Sequence, residues 1–210
     1  MTKPAVVVLD YGSGNIRSAQ RALERAGAEV TVSSDLKVCA SAAGLVVPGV
    51  GAFDHCVAAV KKLKADVMIE RRLIAQQAVL GICVGMQMMF SQGVEGAVES
   101  DGLGQWDGVV TRLNATKLPH MGWNTVEAPG ESKLFEKLNG ANFYFVHSYA
   151  ATAIKTDLSN PIKPPIVSFT NYQGRFISAI ENGPLSAVQF HPEKSGDAGI
   201  GLLQNWIGQL

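Results

Sequence analysis

Three cysteines in 210 residues are too few and too scattered for a disulfide framework. Cys39, Cys56 and Cys83 instead predict free thiols and a reducing, cytoplasmic setting. No Cys-x-x-Cys or His-x-x-x-His spacing occurs, so neither a metal site nor a metal cofactor is expected. No apolar run approaches the ~20 residues of a membrane span. The opening residues also lack the apolar core and cleavage site of a signal peptide. Charge of one sign is missing as well. The 18 basic and 18 acidic residues balance, and the densest basic stretch, Lys61-Lys62-Leu63-Lys64, reads as one solvated helix face. Nucleic acid and membrane surfaces are therefore not expected partners.

What remains is a chain in which 47% of residues are hydrophobic and 17% charged, the balance of a soluble α/β protein. Its length suits a single domain spanning residues 1–210. A chain of this size buries roughly 70% of its unfolded surface, enough for a core without covalent staples.

Strand-like and helix-like runs alternate through the first ninety residues. Strands are predicted over 5–9, 29–33, 44–47 and 78–82, and helices over 16–26, 53–76 (broken near Ala65-Asp66) and 84–90. Asn15 is placed to cap the first helix and Gly27 to end it. Such β-α-β alternation predicts a parallel sheet with helices on both faces. The second half is dominated by short strands over 109–113, 124–127, 142–146, 166–170, 175–181 and 187–190. These read as antiparallel additions to the sheet. A last helix over 197–206 follows, with Ser195 as its cap.

Chemistry concentrates at Gly81-Ile82-Cys83-Val84-Gly85, between a strand and a helix. The pattern is that of a nucleophile elbow with Cys in place of Ser. A sharp strand-to-helix turn lifts the middle side chain above the sheet, and small residues on either side let the backbone pack closely. A helix N-terminus beside the sulfur supplies partial positive charge and free N–H groups for an oxyanion. Taken alone, the pattern fits a buried structural cysteine equally well. Cys39, in an Ala/Ser-rich connector, and Cys56, in a helix, lack this context and read as structural.

A catalytic Cys needs a base, and the base needs an orienter. His191-Pro192-Glu193 follows a strand, and residues two apart in extended backbone point the same way. Glu193 can thus hold one imidazole nitrogen while the other faces the sulfur. His55, inside a helix, reads as a surface or packing residue. Pro48-Gly49-Val50-Gly51 ends the third strand, where two glycines permit unusual backbone angles and close approach of a ligand. In a parallel sheet this loop lies beside the elbow, so the N–H groups of Gly49, Val50 and Gly51, with that of Val84, are candidates for the oxyanion hole.

Pro-Gly-Val-Gly, Gly-Ile-Cys-Val-Gly-Met-Gln and Phe-His-Pro-Glu-Lys-Ser, in this order, resemble the class I glutamine amidotransferases. Asp10-Tyr11-Gly12-Ser13-Gly14-Asn15, Leu118-Pro119-His120-Met121-Gly122-Trp123-Asn124 and Tyr144-Phe145-Val146-His147-Ser148-Tyr149 narrow the resemblance to glutaminase subunits of imidazole glycerol phosphate synthases. It covers nearly the whole chain. It implies hydrolysis of glutamine through Cys83, His191 and Glu193, with no cofactor. By the same resemblance, Gln87, Glu95, Ser148 and Tyr149 bind glutamine. Ammonia passes to a (β/α)₈-barrel cyclase in a heterodimer, and Asn15, His120, Gly122, Trp123, Asn124 and Tyr144 face that partner. The resemblance further implies a nearly inactive free subunit, with the Val50 peptide turning its N–H toward the oxyanion only when the partner is loaded. Val84 departs from the Leu usual in the family; only its N–H is called on. Two alternatives share the triad or the fold: another class I amidotransferase with a different partner, and a non-enzymatic redox sensor.

Overall fold

A computed structural model describes residues 2–155 and 164–210. β1 (Ala5–Leu9), α1 (Ile16–Ala26), β2 (Glu29–Ser33), α2 (Leu36–Ser41), β3 (Gly44–Gly49), α3 (Phe53–Lys62), α4 (Ala65–Ile74), β4 (Ala78–Cys83) and α5 (Val84–Gln87) form the first half. β5 (Phe90–Glu95), β6 (Val98–Asp101), β7 (Trp106–Arg112), β8 (His120–Thr125), β9 (Asn142–His147), β10 (Tyr149–Ala151), β11 (Ile166–Asn171), β12 (Arg175–Asn182), β13 (Leu185–Val188) and α6 (Gly196–Ile207) follow.

Among the described residues the main sheet has seven strands, in the order β11-β12-β13-β4-β3-β1-β2. The five from β13 to β2 run parallel, and β12 and β11 add on antiparallel at one edge. Its central strands are continuous apolar runs rather than alternating ones. Val6 to Leu9, Leu45 to Val47, and Val79, Leu80 and Ile82 are all buried, as a sheet covered on both faces requires. Among the covering helices, α1 packs with α6 and α2 with α4.

Several expectations need correction. The strands over 109–113, 124–127 and 142–146 do not extend the main sheet. They belong to a four-stranded sheet, β10-β7-β5-β6, and to a separate β8-β9 hairpin. The helix expected over 84–90 ends at Gln87 after four residues. The chain is diverted because the carbonyls of Met88 and Met89 accept from Leu103, Gln105 and Trp106 N–H instead of continuing a helical ladder. Phe90 then packs edge-on against Trp106, 5.4 Å away. The connector assigned to Cys39 is the short helix α2, capped by the Asp35 carboxylate accepting from Lys37 N–H at 2.8 Å. The break between α3 and α4 falls at Leu63-Lys64, with Lys64 in the left-handed region.

One buried cation ties three of these elements together. Arg72, 1% exposed, donates to the carbonyls of Cys39, Ala40, Ala42, Ala43 and Ala78 at 2.9–3.3 Å. It closes the C-terminus of α2, whose last carbonyls lack helical partners, and joins it to the starts of β3 and β4. Arg72→Met keeps much of the bulk and strands five main-chain acceptors, those of Cys39 and Ala42 fully buried, so we expect a loss of about 3 kcal/mol or more. For a chain of this size that lowers the thermal midpoint by roughly 6–12 °C. A calorimetric midpoint within a degree of the parent would contradict this account.

Candidate active site

The C-terminal ends of three adjacent parallel strands meet at one point. β4 ends at Cys83; β3 lies on one side, with Gly49 paired to Cys83. β13 lies on the other, with Val188 paired to Ile82, and runs on through Gln189 and Phe190 to His191. The sheet register therefore brings together loops that are 34 and 108 residues apart.

Cys83 has φ 56° and ψ −113°, left-handed backbone that a side-chain-bearing residue rarely adopts. The surroundings enforce it. A Cβ on Gly85 would collide with the Val47 carbonyl, and one on Gly49 would lie 2.6 Å from the Gly85 nitrogen. Because α5 is a single turn, little macrodipole builds up; what it offers the sulfur is the pair of early N–H groups, including that of Val84.

His191 Nδ1 and Glu193 Oε1 lie 2.7 Å apart, with both side chains almost fully buried. Pro192 starts a 3₁₀ turn over Pro192–Lys194, which points both side chains to the same side. The His191 backbone is itself pinned. Its N–H donates to the Tyr144 carbonyl at 2.9 Å, and its carbonyl accepts from the Ser195 hydroxyl at 2.6 Å. Ser195 was expected to cap α6, but its oxygen is committed here and accepts from Tyr144 N–H as well. Burial pulls the imidazole toward its neutral form. The nearby Cys83 sulfur and Glu193 outweigh it and raise its pKa from 6.5 to about 9.

A pocket of about 270 Å³ opens over Cys83. Gln87, Glu95, Ser148 and Tyr149 all line it, as do Val50, Gly51 and Val84. Burial raises the Glu95 carboxyl above its ordinary range, partly offset by Phe53 N–H. The sequence reading missed two residues here. Lys194 lines the pocket, and its position directly after Glu193 was the available signal. Gln189, 1% exposed, directs its amide nitrogen at Cys83 Sγ from 3.8 Å.

These motifs have a match among known proteins. The family described as glutamine amidotransferase class-I matches residues 7–208.

The chain belongs to the class I glutamine amidotransferase family.

Among curated relatives, the imidazole glycerol phosphate synthase subunit HisH of Mycolicibacterium paratuberculosis is 54% identical, with both chains covered completely. The protein of the same name from Thermobifida fusca is 52% identical over 99% of this chain and 100% of its own. Solved structures share the fold at lower identity. One described as a glutamine amidotransferase has a TM-score of 0.74 at 19% identity, covering 96% of this chain and 98% of that one. PurLQS from Thermotoga maritima gives 0.74 at 17%, covering 99% of each.

In the oxyanion loop the Val50 N–H donates to the Ser13 hydroxyl at 3.4 Å. The Val50 carbonyl accepts from Ser13 at 2.7 Å and from the Cys56 thiol at 3.3 Å. Asn15 makes no side-chain cap on α1; its amide donates to Glu193 Oε1 at 3.4 Å, so it braces the acid. His120, expected at a partner surface, is 3% exposed, while its neighbour Met121 is 61% exposed. Trp123 is 57% exposed, which excludes a core role, and it packs edge-on against Tyr144 across the hairpin. Gly122 and Asn124 are half-buried on the same strand. His55 is exposed, as expected, but in the first turn of α3 rather than its middle.

With its pKa raised from 6.5 to about 9, His191 binds a proton more tightly folded than unfolded. Its contribution to stability is full below pH 6.5 and is lost as pH rises through 9. NMR titration of the free chain should find His191 protonated at neutral pH, with a midpoint near 9. Cys83→Ala removes two of the raising interactions and should move that midpoint down by a unit or more, ~1.4 kcal/mol. An unmoved midpoint would show that the sulfur does not act on His191.

Proposed function

We propose that this chain is the glutaminase subunit of an imidazole glycerol phosphate synthase. The observation that carries the reading is Cys83, on a strained elbow, facing a buried His191–Glu193 pair inside a pocket lined by Gln87, Glu95, Ser148 and Tyr149. Full-length similarity above 50% to HisH subunits supports the choice of pathway.

In this mechanism the Cys83 sulfur attacks the glutamine carboxamide carbon. Charge develops on the former carbonyl oxygen, and the oxyanion loop with Val84 N–H stabilises it. His191, protonated at neutral pH, gives its proton to the departing amine, and ammonia leaves a γ-glutamyl thioester on Cys83. Water then attacks the thioester carbon. His191 takes up the water's proton, the sulfur leaves, and glutamate is released. Glu193 accepts from His191 Nδ1 throughout and so holds the ring's orientation, and Asn15 steadies Glu193. Glu95 offers a carboxylate to the substrate's α-amino group.

The oxyanion loop supports a partner-dependent enzyme. Ser13 holds both peptide groups at Val50, the Gly49–Val50 unit through its N–H and the Val50–Gly51 unit through its carbonyl. Gly49 on one side and Gly51, at φ 94°, on the other lack the Cβ that would restrict the backbone angles there. Rotation of the Gly49–Val50 unit delivers the Val50 N–H to the pocket and breaks its bond to Ser13. A (β/α)₈-barrel cyclase docked on the exposed Met121 and Trp123 face of β8, and loaded with its ribonucleotide, is the proposed driver and the acceptor of ammonia in a heterodimer. The whole chain acts as one amidotransferase domain in the cytoplasm.

Glutamate release by the purified chain should be slow alone, rise at least a hundredfold with the loaded cyclase, and vanish in Cys83→Ala. Fast release without a cyclase would retain the triad and reject the pathway. Trp123→Ala should weaken association at least tenfold, ~1.4 kcal/mol, while leaving the melting temperature within ~2 °C. A large fall in melting temperature with unchanged affinity would remove Trp123 from the docking face.

A further inference from the structure

Three of the four histidines are buried, and the reaction uses one of them. The other two, His120 and His147, face each other across the β8-β9 hairpin. Their facing nitrogens, His120 Nδ1 and His147 Nε2, are 3.0 Å apart. His147 Nδ1 lies 2.9 Å from the Tyr149 carbonyl oxygen. A carbonyl only accepts, so His147 carries its proton on Nδ1 and presents a lone pair at Nε2. His120 must then donate from Nδ1. Its Nε2 is left to accept, and the Asn124 amide nitrogen sits 3.3 Å away to supply the proton. Asn124 is itself oriented, because its oxygen accepts from Thr125 N–H at 2.9 Å.

The same carbonyl fixes a second arm. Gln87 Nε2 donates to the Tyr149 oxygen at 2.8 Å and to Gln189 Oε1 at 3.0 Å. Both amide orientations follow, since turning either group over would set oxygen against oxygen or N–H against N–H. Gln189 is left with its nitrogen 3.8 Å from Cys83 Sγ. One carbonyl thus sets the direction of every bond from Asn124 to the sulfur.

We infer that Gln189 is a positioning residue that donates an N–H to the Cys83 sulfur, held in that orientation by a polar relay running from Asn124 through His120, His147, Tyr149 and Gln87. The inference deepens the proposed glutaminase site, because it takes Cys83 as the group being positioned. The setting suits the role. His120 is stacked between Phe145 and Tyr172, with ring centres at 4.8 and 4.1 Å, and Phe176 packs edge-on to His147 with ring centres 4.9 Å apart. A protonated imidazole at either position would set two N–H groups face to face, and burial holds both rings neutral, near pKa 4 and 3. The other titratable side chains of the pocket are Cys83, Glu95, Tyr149, His191 and Lys194, with Glu193 bonded to His191. Of these only Tyr149 joins the relay, through its backbone carbonyl.

The test is the rate and pH profile of Cys83 alkylation by iodoacetamide in the full chain, read at the peptide level so that Cys39 and Cys56 do not interfere. Gln189→Met keeps the length without the donor. Gln189→Glu keeps the shape and sets an oxygen against the sulfur. We expect alkylation at pH 7 to fall roughly threefold to tenfold in Gln189→Met and further in Gln189→Glu, with the midpoint displaced to higher pH. In the cyclase complex kcat should fall more than KM rises. His120→Asn retains a donor at the Nδ1 position and should stay within about twofold of the parent, whereas His120→Leu should follow Gln189→Met. If both Gln189 variants fold and alkylate with the parent's rate and midpoint, Gln189 does not position the sulfur. If Gln189→Met does not fold, Gln189→Glu and the His120 pair decide by the same readout. Turnover by Cys83→Ala would instead overturn the glutaminase reading, while alkylation of the parent and Gln189 variants would still report on the contact to sulfur.

Discussion

Everything at this site depends on how closely two backbones approach. β3 and the turn after β4 come so near that Gly49 and Gly85 leave no space for a methyl group on either. That contact forces Cys83 out of ordinary strand geometry and stands its side chain over the sheet. It also sets the oxyanion loop against the nucleophile, because Gly49 and Cys83 are register partners. A larger residue at either glycine would relax the elbow and separate the loop from it in one step. The steric constraint comes first, and the chemistry is arranged on it.

Electrostatics then sort three buried histidines into two kinds. His191 has an acid on one edge and a sulfur on the other, and those neighbours overcome burial. His120 and His147 are surrounded by aromatic rings, and burial prevails. The pocket therefore holds a readily protonated imidazole and a permanently neutral one in the same neighbourhood. The same physics accounts for both outcomes, since what differs is whether a charge-stabilising partner lies within contact distance.

Much of this was legible in the sequence because the signals are local. Gly81, Cys83 and Gly85 lie within five residues, as do His191 and Glu193, and each reads through the geometry of a turn or an extended segment. The central parallel strands β1, β3 and β4 are apolar runs, and the five parallel strands came out within two residues of their expected positions. Apart from α2, whose cap at Asp35 is local, the main failures are long-range. α5 stops short because a loop fifteen residues later captures the carbonyls that would continue it. β8 inverts the usual rule, with His120 and Asn124 turned inward and Met121 and Trp123 outward, an arrangement that polarity along the strand does not reveal. Asn15 and Ser195 look like helix caps by position, yet their side chains serve Glu193 and His191, partners only the folded sheet supplies. Gln189 carries no signal of its own between a strand and the His-Pro-Glu motif.

Arg72 has a different kind of dependence on sequence. All five of its acceptors are main-chain oxygens, and none of the side chains at Cys39, Ala40, Ala42, Ala43 or Ala78 takes part in those bonds. The clamp reads the path of the chain rather than its letters. Drift at the five acceptor residues can leave it intact, whereas the position that reads them needs a planar, forked cation that no other residue supplies. A mutational scan of this corner of the fold would meet tolerance spread over many positions and intolerance gathered into one.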